Sequence, residues 1–191
     1  MRMLTISSMI LLAVLTLLVA ACTSAPAVEH SEADTMNDAE AASAAPPERI
    51  RAWMDRLTVD HEYDPATGFI VAREVVELPE VVSSGPPVRE AISRGVSESR
   101  AVVVFATADR CAPCQQYKRS AIGDPAVIAA LADPGLIVTH VEVDRETEAA
   151  GEMLGSLAIP MTYLFRDGVI VSELRGQRSA DELLAWLEAA N

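Results

Sequence analysis

Aromatic residues are scarce in this sequence, and basic residues are outnumbered by acidic ones. Phe, Trp and Tyr make up 4% of the 191 residues, although 50% of the residues are hydrophobic. A core must therefore be built mainly from Val, Leu, Ile and Ala. The formal net charge is −13, with 15 Lys and Arg against 28 Asp and Glu. A protein this acidic is a poor partner for nucleic acid and for anionic lipid headgroups.

Cysteine is also scarce. The sequence contains three cysteines, an odd number, and its length allows one domain of ordinary size with appendages. Two of the cysteines belong to the motif Cys111-Ala112-Pro113-Cys114, which follows an apolar run. The third, Cys22, ends a different apolar run near the N-terminus. The motif and the isolated cysteine therefore need separate explanations.

Residues 1–21 have the organisation of a secretory signal. Arg2 supplies a basic start, and the segment from Leu4 to Ala21 is almost wholly apolar, with small residues at its end. The sequence Val19-Ala20-Ala21-Cys22 resembles a bacterial lipobox. That resemblance implies a lipoprotein signal peptide over residues 1–21 and lipidation of Cys22. A plain transmembrane anchor is the alternative, because an apolar run of about 18 residues can span a bilayer.

Both interpretations place the following chain on the periplasmic face of a bacterial cell envelope, attached to a membrane. Thr23 favours the outer membrane, because an Asp at that position would indicate retention at the inner one. Residues 22–47 are rich in Ala, Ser, Pro, Glu and Asp and have almost nothing large and apolar. This composition predicts a disordered acidic linker. Such a tether would reach on the order of 25–30 Å.

Residues 48–85 form an N-terminal extension to which the sequence assigns no role. A helix is predicted at its start, and we expect Trp53 to anchor the core because it shares a helix face with other apolar residues. A turn is predicted over residues 64–68, followed by one or two extended segments. The apolar residues of the helix face are Ile50, Trp53, Met54 and Leu57.

Residues 86–191 are predicted to form the main domain, in the order helix, strand, helix, strand, helix, X-Pro, hairpin, helix. The strand from Ala101 to Ala106 is continuously apolar, which is typical of a strand buried on both faces. Asp167-Gly168 between two apolar runs is a strong hairpin signal. Ser179 and Glu182 have the spacing of a capping box for the last helix.

The two cysteines of the motif lie where a strand gives way to a helix, which is a redox arrangement. The free N–H groups and partial positive charge of a helix N-terminus stabilise an anion, here the Cys111 thiolate. The thiolate is the nucleophile in disulfide exchange, so this position makes Cys111 reactive. Cys114, one turn on, can close a disulfide with it. Pro113 is tolerated because the first helical turn needs no N–H there.

About the last hundred residues resemble the thioredoxin fold. The features that carry the resemblance are the Cys-Ala-Pro-Cys motif at a strand-to-helix junction, Ile159-Pro160 directly before a strand, and the Asp-Gly hairpin followed by a terminal helix. The resemblance implies an α/β fold, a three-layer sandwich with a central mixed β-sheet. It also implies that Pro160 is a cis-proline facing the cysteines. The backbone of Ile159 and Pro160 would then bind an extended substrate segment.

Within that fold, the run from Gln115 to Val127 resembles the periplasmic C-terminal domain of DsbD-type thiol reductases and the related small periplasmic thioredoxins. It contains an aromatic residue three positions past Cys114, a basic patch and an Asp-Pro-x-Val sequence. The resemblance implies a thiol–disulfide oxidoreductase with a catalytic, redox-active Cys111–Cys114 disulfide and no cofactor. Its partners would be protein thiols and disulfides, together with a membrane or periplasmic redox protein.

Two positions depart from the thioredoxin pattern. Arg110 replaces the usual Trp before the first cysteine, and a cation there would favour the thiolate and a more oxidising potential. A solvated surface charge is the alternative for Arg110. Phe105 replaces a buried Asp that assists proton transfer. Asp109 and Glu142 could substitute for that Asp, but we expect each to be a surface or capping residue.

Several functions stay open at this point. Proline in the second position between the cysteines resembles reducing thioredoxins and favours a reductant, whereas Arg110 favours a thiol oxidase or isomerase. A soft-metal-binding lipoprotein would need ligands besides the cysteines, and His140 and Met161 are the candidates. A purely structural disulfide is disfavoured, because a loop this short constrains the unfolded chain little.

Overall fold

The computed structural model describes residues 45–190. The predicted signal peptide over residues 1–21, the lipidation site Cys22 and all but the last three residues of the linker over 22–47 lie outside the described residues. No helix in the described part of the chain is both long enough and apolar enough to cross a membrane.

The helices and strands follow the predicted order, with additional short elements in the extension. The extension contains α1 (Glu48–Met54), β1 (His61–Asp64), β2 (Phe69–Ala72) and α2 (Glu80–Ser83). The domain contains α3 (Val88–Glu98), β3 (Ala101–Thr107), α4 (Ala112–Tyr117), α5 (Pro125–Leu131), β4 (Leu136–Glu142), α6 (Thr147–Leu154), β5 (Met161–Arg166), β6 (Val169–Arg175) and α7 (Ala180–Ala190).

The strands of residues 45–190 form a hairpin in the extension and a mixed sheet in the domain. In the extension, β1 pairs antiparallel with β2. The domain sheet has four strands in the order β4-β3-β5-β6. Strand β3 runs parallel to β4 and antiparallel to β5, and β5 runs antiparallel to β6. The central position of β3 carries the cysteine motif out of the middle of the sheet.

Alternate side chains of β3 supply both halves of the core. Val103 and Phe105 pack with residues of α4, α5 and α7. Val102 and Val104 pack with residues of α3 and α6 on the opposite face. Successive strand residues alternate between faces, so the apolar run is buried on both sides, as predicted. The domain is a three-layer α/β sandwich with a mixed central sheet, which confirms the predicted fold class.

Local sequence signals determine several element boundaries. The Asp124 carboxylate accepts a 2.8 Å hydrogen bond from the first turn of α5, as a helix N-cap should. Ser179 and Glu182 exchange the hydrogen bonds of a capping box before α7. Asp167-Gly168 has φ angles of 51° and 79° at the tip of the β5–β6 hairpin. Positive φ at both central positions is the requirement of a tight hairpin turn.

The helix that follows the cysteines changes its winding after two turns. α4 continues into a π-helical turn over Lys118–Ile122. Gly123 ends that turn, and a side chain there would be crowded by the carbonyl oxygen of Lys118. Single π-turns inside helices widen the spacing between side chains and are common near functional sites. Here the π-turn buries Lys118 beside the cysteine-bearing turn.

The extension joins the domain at a tightly fixed point. Gly85 lies against strand β4, where a Cβ atom would collide with the carbonyl oxygen of Val138. Leu57, Val59 and Ile70 of the extension pack on Ala112, the residue that follows the first cysteine of the motif. The extension therefore covers part of the domain surface next to the cysteines.

The expectation that Trp53 anchors the core is wrong. Its side chain is 39% exposed, and α1 contains no fully buried residue. Ile50 and Met54 do pack against the small cluster around Leu57 and Ile70, so the apolar face exists. The cluster is too small to enclose an indole as well, and Trp53 is left at its edge.

Candidate active site

The two cysteines lie at the start of α4 in a disulfide, with Cα atoms 5.2 Å apart. Cys111 is the N-cap residue, and its Sγ accepts a hydrogen bond of 3.2 Å from the backbone N–H of Cys114. Pro113 stands in the first turn, where it displaces no helical hydrogen bond. The same N–H and the helix N-terminus would stabilise a thiolate on Cys111 once the disulfide is reduced.

The two sulfur-bearing residues differ in accessibility. Cys111 is partly exposed, whereas Cys114 is fully buried. A substrate can therefore reach only the first cysteine of the motif. The second can react only with its neighbour Cys111. This division of roles is what a dithiol needs to attack a disulfide and then resolve the resulting intermediate.

Ile159-Pro160 lies directly before strand β5. The peptide bond between these residues is cis, as the thioredoxin resemblance implies. Pro160 is buried, and its carbonyl oxygen accepts a hydrogen bond of 2.9 Å from the N–H of Gly176. Ile159 lines the same cavity as Cys111 and Pro113. The structure thus brings Ile159 and the accessible cysteine together in one cavity, which Pro160 does not line. Substrate binding by Ile159 and Pro160 stays a prediction.

Arg110 lies at the mouth of this cavity and is paired with an acid. Its Nε donates to the Asp144 carboxylate at 2.8 Å, although the side chain is 70% exposed. Asp144 follows strand β4, whose parallel register with β3 brings the two loops together. The pairing offsets the positive charge that was expected to favour the thiolate. The role of Arg110 in setting the thiolate pKa stays a prediction.

A charged cluster lies behind the motif, near the carboxyl ends of β3 and β4. Lys118 is only 3% exposed and donates to Asp109 at 3.2 Å. Arg145 donates to the other Asp109 oxygen at 2.7 Å. Partial burial acts to raise the pKa of Asp109, but the hydrogen bonds from Arg145 and Lys118 outweigh it and lower the pKa. Asp109 is therefore an ion-paired residue beside the motif.

Glu142 is not the surface or capping residue that the sequence suggested. It is 3% exposed, and one carboxylate oxygen accepts from the Asp109 N–H at 3.0 Å. The other oxygen is buried without a hydrogen-bond partner among the described residues. Burial raises the pKa of Glu142. Phe105, at the position of the thioredoxin Asp, is fully buried in the core.

His140 and Met161, the further ligands that a soft-metal site would require, lie in strands β4 and β5 of the sheet. His140 Nε2 lies 2.7 Å from the Thr107 hydroxyl, and burial lowers the His140 pKa to about 4. Met161 is buried. Within residues 45–190, no cluster of three or more His, Cys, Asp or Glu side chains is arranged to hold a metal ion.

Two glutamines directly after the motif bind the extension, and the sequence did not identify them. Gln116 Oε1 accepts from the Thr58 N–H at 2.7 Å, from the Thr58 hydroxyl at 2.9 Å and from the Val59 N–H at 3.3 Å. Gln115 Oε1 accepts from the Val76 N–H at 2.7 Å. Both side chains are buried. The signal that could have identified them is the presence of two consecutive glutamines in a helix that packs on the sheet.

The Gln115 amide also holds the loop before the motif. Its Nε2 donates to the carbonyl oxygens of Ala108 and Asp109 at 3.1 and 2.9 Å. One side chain therefore connects the extension to the turn that presents Cys111. The extension further pairs with this turn through an isolated antiparallel bridge between Val71 and Cys111.

The fold and the site together define a thiol–disulfide oxidoreductase. The sequence matches the thioredoxin family over residues 88–189, and the chain belongs to that family. No curated protein sequence matches it.

Among solved structures, the chain is similar to several thioredoxins. One is from Thermus thermophilus, with 27% identity, a TM-score of 0.46, and coverage of 54% of this chain and 82% of that one. Another is from Nicotiana alata, with 20% identity, a TM-score of 0.47, and coverage of 62% and 98%. A poplar thioredoxin h has 24% identity, a TM-score of 0.43, and coverage of 53% and 85%.

Proposed function

We propose that this protein is a membrane-tethered, extracytoplasmic thiol–disulfide oxidoreductase that reduces disulfides in other proteins. The observation that carries the proposal is the asymmetric cysteine pair. Cys111 is accessible and stabilised by a helix N-terminus, whereas Cys114 is buried and positioned to resolve. The lipobox-like sequence ending in Cys22 supports the membrane tether and the extracytoplasmic location.

The reaction requires only the two thiols. The Cys111 thiolate attacks one sulfur of a substrate disulfide, and a mixed disulfide forms as the other substrate sulfur leaves as a thiolate. The Cys114 thiolate then attacks Cys111 and expels the second substrate thiolate. The substrate gains two electrons and takes its protons from water, while Cys111 and Cys114 become a disulfide. A reduced dithiol partner returns the two electrons.

The likeness of residues 115–127 to the C-terminal domain of DsbD-type reductases supports the reducing direction, as does Pro113 between the cysteines. A thiol oxidase or isomerase is the second candidate, and Arg110 beside the nucleophile is the observation that favours it. Its charge, where not offset by Asp144, would stabilise the reduced form and make the pair more oxidising.

The reduction potential of the Cys111–Cys114 pair distinguishes these directions. We expect a value near that of thioredoxin, roughly −270 mV, when the full-length chain is equilibrated with dithiothreitol or glutathione buffers. A value near that of a strong thiol oxidant, roughly −120 mV, would reverse the proposed direction. If no disulfide forms at any poise, the redox function itself is wrong.

A further inference from the structure

An apolar groove lies directly in front of Cys111, and the N-terminal extension forms one of its sides. The cavity has a volume of about 300 Å³. Its lining includes Trp53 and Phe69 of the extension, Pro113 and Ile159 of the domain, and Cys111. The family match begins at residue 88, so Trp53 and Phe69 lie outside the matched segment.

The aromatic side of the groove is exposed to water. Phe69 is 66% exposed and Trp53 is 39% exposed, in a chain with only 3 Phe and 2 Trp. Exposed large apolar side chains that line a cavity are a typical mark of a binding surface. Covering them would remove apolar surface from water, which favours binding.

The extension is held rigidly enough to act as a wall. Strand β2 pairs with the motif at Val71 and Cys111, and the Ala72 N–H donates to the Arg110 carbonyl oxygen at 2.8 Å. The buried Gln116 amide fixes the preceding segment at Thr58. Phe69 therefore has a defined position relative to the reactive sulfur.

Charge at the groove disfavours acidic occupants. Arg110 and Asp144 neutralise each other at its rim. Hydrogen bonds from Thr67 and Ala66, with a smaller contribution from Arg110, lower the pKa of Asp64, which keeps this lining residue negative. An occupant must also present a sulfur to Cys111. The volume is at the lower end for ligand sites, roughly 300–1,000 Å³, which suits a few side chains but not a folded surface.

We propose that the extension is a substrate-selecting wall, and that the groove takes an extended polypeptide segment with an apolar side chain next to its disulfide-bonded cysteine. Phe69 is the principal selectivity residue, with Trp53 beside it. This inference rests on the proposed thiol–disulfide exchange and adds the class of substrate to it.

The test uses the pre-reduced full-length chain in phospholipid nanodiscs, which keep detergent out of the groove. Two short neutral peptides carry a single cysteine flanked by Leu in one and by Ser in the other, each as a mixed disulfide with thionitrobenzoate. The Cys111 thiolate attacks the peptide sulfur and expels coloured thionitrobenzoate with the bond electrons. Cys114 then displaces the peptide thiolate. The measured quantity is the ratio of second-order rate constants for the two peptides.

We expect the wild-type protein to prefer the Leu peptide and Phe69→Ser to reduce that preference about tenfold, in line with the selectivity of apolar pockets. Val75→Ser is the matched control, because Val75 is 63% exposed in the same extension but does not line the groove. It should retain the preference. Phe69→Leu should retain most of it, which excludes general misfolding of the extension as the cause.

Three results would overturn the inference. An equal preference for the Leu peptide in the wild-type protein and in Phe69→Ser would show that the extension does not select substrates, while the exchange reaction itself would still stand. The thionitrobenzoate mixed disulfide of a small aliphatic thiol provides a second check. If Phe69→Ser lowers its rate constant as much as that of the Leu peptide, the occupant of the groove is not a polypeptide. Release of no thionitrobenzoate from either peptide by any variant would remove the proposed function as well, so the two failures are distinct.

Discussion

At the scale of single residues, the accessible cysteine is surrounded by neutralised charges. Arg110 is paired with Asp144, and Lys118 behind the motif is paired with Asp109. The main fixed positive field on the Cys111 sulfur is therefore that of the α4 N-terminus and the Cys114 N–H. Arg110 and Lys118 can lower the pKa of Cys111 only by the part of their charge that Asp144 and Asp109 do not offset.

This arrangement gives a prediction for Asp144→Asn. Removal of the carboxylate should raise the reduction potential of the cysteine pair by about 5 to 20 mV, because the freed Arg110 would stabilise the thiolate of the reduced form. Arg110→Ala should lower the potential by a similar amount. Equilibration with a glutathione redox buffer measures both changes.

The double variant separates the two charges. If Asp144→Asn raises the potential equally in an Arg110→Ala background, the effect belongs to the carboxylate and not to the freed guanidinium. An unchanged potential in Arg110→Ala would identify Arg110 as a solvated surface charge with no influence on the cysteines.

At the scale of the elements, the buried Gln116 amide is one of several groups that join the extension to α4 and the motif. Gln116→Ala would leave the N–H groups of Thr58 and Val59 without their acceptor, at a cost of about 1–3 kcal/mol in local stability. We expect faster amide hydrogen exchange over residues 58–76, with little change in the sheet. Exchange measured by mass spectrometry on the oxidised protein tests this.

Glu74→Ala is the control for that variant. It removes an exposed ion pair between the extension and Arg119, and such pairs contribute little. It also removes the exposed acceptor of the Asp60 N–H, so the Asp60 amide alone should exchange faster. Exchange over residues 58–76 should stay close to that of the wild-type protein. Equal protection in Gln116→Ala and in the wild-type protein would contradict the assigned role of the amide.

The elements that the sequence predicted well are those specified by local chemistry. The capping box at Ser179, the N-cap Asp124 and the Asp167-Gly168 turn need only their immediate neighbours to form. The helix over Thr147–Leu154 ends as predicted at Gly155, which adopts a left-handed conformation with φ of 65°. The cysteine pair was likewise located by its own spacing, whereas the cis bond at Pro160 was implied only by the thioredoxin resemblance.

Features that depend on the tertiary environment were missed or misplaced. Strand β1 is polar and half exposed, so it has no apolar alternation to reveal it. Trp53 shares a helix face with core residues, but periodicity cannot tell how much core lies beneath that face. Gln115, Gln116 and Glu142 are buried because distant segments cover them. Local sequence patterns do not indicate which distant segments will cover a given side chain.

At the scale of the whole molecule, the acidic composition bears on how the chain would attach to a membrane. A protein with a net charge of −13 does not bind an anionic membrane surface through its own charge, so attachment would depend on the N-terminus. We expect the wild-type protein to partition with membranes and to carry a lipid on Cys22. Burial of acyl chains supplies roughly 0.8 kcal/mol per CH₂ group.

Cys22→Ser tests that expectation. The variant should lose the lipid in intact-mass measurement, and exchange kinetics at Cys111 should not change, because Cys22 is separate from the motif in sequence. Partitioning of an unlipidated wild-type chain with membranes would instead favour a transmembrane anchor formed by residues 4–21.

The docked extension and the family-matched segment meet at Gly85 without overlapping in sequence. Electron transfer is thus encoded downstream of that junction, and the groove wall upstream of it. Genetic recombination at this boundary would change the substrates of the enzyme and leave its thiol–disulfide exchange reaction unchanged. An incoming segment would need to supply donors to Gln115 and Gln116, apolar side chains that cover Ala112, and a strand beside Cys111. Proteins with the same cysteine motif would then differ in the segment upstream of it, with no change at the reacting atoms.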